Sequence, residues 1–130
     1  MRSTSPAPPP AARRARMAVS ALFLTNGALF ANILPRYPEI KDALGLDNAA
    51  YGLTIIAFPA GAIAAGLGAG FVIRRLGSAP AAVAGTILTA IGILAAGLSP
   101  TPLVFAGALL LGGAMDAITD VAQNAHGLRV

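Results

Sequence analysis

Apolar residues in this chain fall in long uncharged runs, separated by short polar stretches. Met17 to Pro35 is the first run and Asn48 to Ile73 the second. The third, Leu76 to Met115, contains no Lys, Arg, Asp or Glu and is divided by Ser99-Pro100-Thr101-Pro102. A membrane-crossing helix needs about 20 consecutive apolar residues, so the third run is long enough for two passes. The pattern predicts an all-α integral membrane bundle of four transmembrane helices, at about 17–35, 49–73, 80–99 and 103–125. Little chain remains for a soluble domain.

The polar punctuation places the ends of these helices. Residues 1–16, MRSTSPAPPPAARRAR, are rich in Pro, Ala and Ser and have nothing large to bury, so a disordered basic tail is expected. The apolar run behind it exceeds the roughly 7–15 residues of a signal-peptide core and is read as an uncleaved first helix. Pro35 and Pro38 end that helix. PEIKDALGL, from Pro38, reads as a short interfacial helix closed near Gly45, with Asp47 or Asn48 capping the second span. Pro102 suits the first position of the fourth.

Charge then sets the orientation. With the tail inside, the inner segments hold Arg2, Arg13, Arg14, Arg16, Arg74, Arg75 and Arg129, and the outer loops only Arg36 and Lys41. The positive-inside rule therefore predicts cytoplasmic termini in the cell's inner (plasma) membrane. Only 11% of the 130 residues are charged, against roughly a quarter in soluble domains. The net charge of +4 flanks the apolar runs and forms no aromatic-studded patch, so no nucleic-acid partner is expected. There are no cysteines and one histidine, which excludes disulfides and multi-histidine metal sites. No metal or cofactor is expected, and without a nucleophile–base pair the chain does not read as an enzyme. Its first partner is the lipid bilayer.

Small residues mark expected packing faces, because helices in lipid gain from close backbone approach. Ala62, Gly66 and Gly70 form such a ladder in the second helix, and Ala81, Gly85 and Thr89 in the third. Pro59, inside the second helix, should bend it.

The candidate chemistry lies in the fourth helix. At about 100° per residue, Gly112, Asp116, Thr119, Asp120, Gln123 and Asn124 share roughly 120° of arc. Counted from Leu103 at about 1.5 Å per residue, Asp116 lies about 20 Å into a core about 30 Å thick. An aspartate at mid-membrane costs on the order of 2.5–3.5 kcal/mol, so two require a partner, a watered cavity or bound protons. A carboxyl that takes up and releases a proton as a cavity opens to each side alternately is the requirement for proton-coupled transport. Thr119, Gln123 and Asn124 add hydroxyl and amide groups suited to a small polar solute. His126 lies near the cytoplasmic surface, as a solvated residue or a proton shuttle.

Three stretches carry a family resemblance. GAGFVIRRLGSAP, residues 68–80, resembles the loop between helices two and three of major facilitator superfamily transporters, with Gly70, Arg75 and Gly77 in the pattern. The pattern's acidic position is Arg74 here, a departure at a residue whose charge contacts govern conformational change in the family. GALFANILPRYPEIKDALGL, residues 27–46, is similar to the first helix and outer loop of the fucose-permease-like branch. DVAQNAHG, residues 120–127, resembles the same branch's fourth-helix motif. The resemblance implies a proton-coupling role for Asp120, a cavity role for Asn124, and Asn32 near a first-helix position that is acidic in the fucose permease. It further implies a secondary transporter built from two six-helix halves. Four helices would be the start of the N-terminal half, a truncated product that needs further helices or another chain to complete its cavity. Two other readings stand beside it: a complete four-helix dimeric transporter of the small multidrug resistance type, or a non-transporting membrane subunit.

Overall fold

The computed structural model describes residues 7–128. The expectations for Arg2, Arg129 and the first residues of the tail lie outside that range. The described chain contains four helices long and apolar enough to cross a membrane, as the pattern requires.

Helix α1 runs Pro10–Ile33. The expected tail is therefore corrected at residues 10–16, which extend the first span. Pro10 occupies the first turn, where its missing N–H costs nothing, and Ala and Arg are strong helix formers that prolong a helix already nucleated. A 3-10 turn over Leu34–Arg36 leads into α2, Tyr37–Ala43. Gly45, at φ 66°, reverses the chain after α2. The Asp47 carboxylate then accepts from the Ala50 N–H at 2.7 Å, capping α3, Asn48–Ile55.

The second span is two helices in succession, α3 and α4, Ala57–Leu76, interrupted at Ile56. Pro59 is the reason: it has no N–H for the carbonyl four residues back, that of Ile55, so the ladder breaks there. α5 (Ser78–Gly97) follows after the single residue Gly77, whose φ of 87° is accessible to glycine at little cost. The Thr101 hydroxyl caps α6, Pro102–Gly127, by accepting from Val104 N–H at 3.3 Å.

α6 lies between α4 and α5, and small residues set how near they come. A Cβ on Gly113 would strike the Phe58 carbonyl of α4, and one on Gly61 the Leu110 carbonyl of α6. On the other side Gly92 faces Gly112, where an added Cβ would sit 2.9 Å from its backbone nitrogen, and Gly85 faces the Thr119 hydroxyl. The Ala81, Gly85 and Thr89 ladder is accordingly buried. The ladder expected in the second span is corrected: Gly66 and Gly70 are exposed and Ala62 only half-buried, whereas Gly61 and Ala69 carry the packing. Spacing fixed the period of the small residues, and the crossing of α4 on α6 chose which row turns inward.

A core of Ile33, Ile40, Ile93, Ala96, Phe105, Ala108 and Leu109 closes the end of the bundle that carries α2. Phe30 meets Phe58 edge-on at 5.3 Å, and Tyr37 meets Phe105 likewise at 6.0 Å. Elsewhere the large apolar side chains point outward: Leu67 is 88% and Leu103 82% exposed. In water that would be a liability, but in hydrocarbon it removes no favourable burial.

Candidate functional site

The site forms where α1 crosses the second half of α6. α1 packs more sparsely than α4 or α5 against the rest of the bundle. About two-thirds of the way along it, Asn26 faces α6 with its side chain half-buried. Its amide nitrogen donates to Asp116 Oδ1 at 2.9 Å and reaches Asp120 Oδ1 at 3.5 Å. The first is a full-strength bond to a carboxylate and the second is at the limit of one. The two acids, one turn apart on α6, thus converge on one side chain from another helix. Asn26 Oδ1 is itself buried and has no hydrogen-bond partner among the described residues.

The rest of the polar arc separates into distinct environments. Thr119 is wholly buried, and its hydroxyl donates back to the Met115 carbonyl at 2.8 Å. Gln123 is also wholly buried, and among the described residues neither amide atom has a hydrogen-bond partner. Asn124 is exposed and donates to the backbone carbonyl of Asp120 at 2.9 Å, not to the carboxylate. Asp116 and Asp120 therefore sit at the margin of the packed interior, with the inner and outer neighbours of the arc on either side.

Asn32 stands apart from this group. It is exposed, and its amide donates to the Ala28 carbonyl of its own helix at 2.8 Å. Six residues beyond Asn26, or about 9 Å along the helix, it lines an apolar groove with Ile33, Arg36, Ile93 and Leu94. Its place in the site was expected from the resemblance, and the structure brings Asn26 to the acids in its stead. Asn26 went unnoticed because a single amide in an apolar run has no periodicity to mark it. The one available signal was the polar pair Thr25-Asn26 inside an otherwise apolar run.

The candidate loop motif lies at the opposite end from α2. Arg74 and Arg75 occupy the exposed last turn of α4, where positive charge complements the helix dipole. Arg74 folds over exposed Gly70, its Nη1 3.4 Å from where a Cβ would stand, and the Arg75 guanidinium lies 5.1 Å over the Phe71 ring. Gly77 joins α4 to α5 directly. Beyond it, Ser78 Oγ and His126 Nδ1 lie 3.3 Å apart, tying the start of α5 to the end of α6. Half-buried, His126 serves as a link between helix ends in this arrangement. Among the described residues no group of three or more His, Cys, Asp or Glu is placed to hold a metal ion.

Comparison with known proteins gives one match. A sequence model of the Major Facilitator Superfamily matches residues 19–126. No curated protein and no solved structure matches the chain.

Proposed function

Since this chain belongs to the Major Facilitator Superfamily, a family of secondary transporters, we propose that it carries a small polar solute across the membrane with coupled proton movement, and that Asp116 and Asp120 bind the proton. The observation that carries this reading is the convergence of both acids on Asn26, at mid-span and half-buried. A purely structural aspartate would gain most from a cationic partner, yet among the described residues the Asp116 and Asp120 side chains share one neutral donor, from α1. Two carboxylates in hydrocarbon with so little compensation suit groups that spend part of a cycle protonated.

The remaining parts extend the same reading. Asn124, exposed beside Asp120, contributes to the solute-facing wall, while the buried Thr119 and Gln123 back it. The half-exposed side of the acid pair takes its opposite wall from further helices, in the same protein or in a second chain. Arg74, Arg75 and Gly77 shape the turn between α4 and α5 on the cytoplasmic side, with the N-terminus on that side of the plasma membrane.

The test is proton flux in proteoliposomes holding a pH-sensitive dye, with a panel of small polar solutes added outside. Solute-dependent acidification that is lost in Asp120→Asn supports the reading. Solute uptake with unchanged proton movement in that variant would refute the coupling role.

A further inference from the structure

We propose that Asn26 and the two acids form a three-residue site built for one shared proton, with the amide matched to the singly protonated pair. The proposal extends the proton-coupled reading above by assigning the proton's partners, and it rests on that reading.

A primary amide has donors on one side and an acceptor on the other. Here only the donor side is used: Nδ2 serves Asp116 at 2.9 Å and reaches Asp120 at 3.5 Å, while Oδ1 is buried with no partner. With both acids ionised, one NH2 group must satisfy two like charges and the carbonyl is left bare. With both neutral, the donor side loses its charged acceptor. With one proton on the pair, both sides are used. Nδ2 donates to the carboxylate, and the acid's O–H donates to Oδ1. The required adjustment is a turn about terminal torsions of Asn26 and Asp120, which are broad for these side chains. No bond to carbon changes; the proton resides on a carboxyl oxygen and its hydrogen bond satisfies the orphaned carbonyl.

The surroundings leave this task to Asn26. On α1, Thr25 is exposed and donates to the Ala21 carbonyl, and the basic residues lie ten or more positions toward the N-terminus, at Arg16, Arg14 and Arg13. On α6, Asn124 is committed to a backbone carbonyl and His126 is paired with Ser78. α5 carries no charged residue between Ser78 and Gly97, and the charges of α4 are the exposed Arg74 and Arg75 in its last turn. The protons of two such interacting acids belong to the pair and not to either residue, so the group bonded to both is the one able to sense how many are bound. Because α1 is the sparsely packed helix, that bond also links the protonation state to how firmly α1 sits on α6. Asn26 is a positioning residue in this scheme and carries no proton itself.

The experiment is infrared spectroscopy of the full chain in liposomes during a pH titration, with carbon-13 in the aspartate carboxyls and Asp116→Asn and Asp120→Asn assigning the bands. In wild type the protonated carboxyl that appears first should show the lowered carbonyl band of an acid whose O–H donates a hydrogen bond. In Asn26→Leu, a substitution that suits hydrocarbon, that band should move to the unbonded position, and Asn26→Gln should return it part of the way. An identical band in wild type and Asn26→Leu would overturn the proposal. Should Asn26→Leu fail to insert, labelling the asparagine amides of wild type gives the same answer. One amide carbonyl must shift as the first proton binds, and amide bands indifferent to pH would overturn it. None of these measurements requires transport, so a failure of solute uptake and a failure of the shared-proton site are separate results.

Discussion

Asp116 and Asp120 are a turn apart on one helix and share a donor, but their surroundings differ. Asp116 holds the shorter bond to Asn26 and lies deeper in the span; Asp120 is one turn nearer the end that carries Arg74 and Arg75. In the proposed coupling, Asp120 is the better placed to exchange a proton with water on that side, and Asp116 the better placed to retain one. Asp116→Asn is expected to weaken solute-driven proton flux in vesicles without abolishing it, whereas Asp120→Asn abolishes it. Gln123 makes a different prediction. Its amide is wholly buried and unpaired, and a buried polar group without a bond costs about 1–3 kcal/mol. Gln123→Leu, close in volume and apolar, should therefore leave the protein as stable or raise resistance to unfolding in detergent. A marked loss of stability in that assay would show that the amide is bonded after all.

Among the elements, α4, α5 and α6 behave as a slab held by backbone approach, and α1 as a more sparsely packed helix held by Phe30 and Ile33 at one end and by the Asn26 contact to the acids. The slab rests on glycines that face carbonyls. Gly113→Ala and Gly61→Ala each place a methyl against the backbone of the neighbouring helix, at Phe58 and Leu110, and overpacking of this kind costs about 1–3 kcal/mol. Gly66→Ala, in the row that the sequence spacing singled out, meets nothing within 4 Å and should be neutral. Thermal unfolding of the three variants in one detergent decides between the rows. At Gly77, φ of 87° makes any side chain unfavourable, by about 1–2 kcal/mol. Gly77→Ala should loosen the α4–α5 turn, seen as faster hydrogen exchange in the first turn of α5.

For the whole molecule, the helix count and the apolar surface establish a multi-pass membrane protein of the Major Facilitator Superfamily. Its orientation is open to a direct test, since the natural chain has no cysteine. A single cysteine at Asp42 should react with a membrane-impermeant maleimide added to intact cells, and one at Arg75 only after the membrane is opened. The reverse pattern would invert the proposed topology.

The four spans were legible in the sequence because the bilayer leaves so few solutions: each run of about 20 uncharged residues must become a helix or expose its backbone to hydrocarbon. Asp47, Pro59 and Pro102 were legible for the same local reason, since each acts through its own backbone or near neighbours. The polar arc of α6 was also predictable, from the helical period alone. What period cannot supply is azimuth. Gly61 and Gly66 belong to different rows of one helix, and only the packing of α4 against α6 decided which is buried. The same holds between helices. Asn26 and Asn32 are both lone amides in one apolar run, about 9 Å apart along α1, and nothing local ranks them. The antiparallel docking of α1 on α6 set Asn26 against the acids and left Asn32 to its own backbone, because a contact across 90 positions of chain is a property of the assembled bundle and not of any segment.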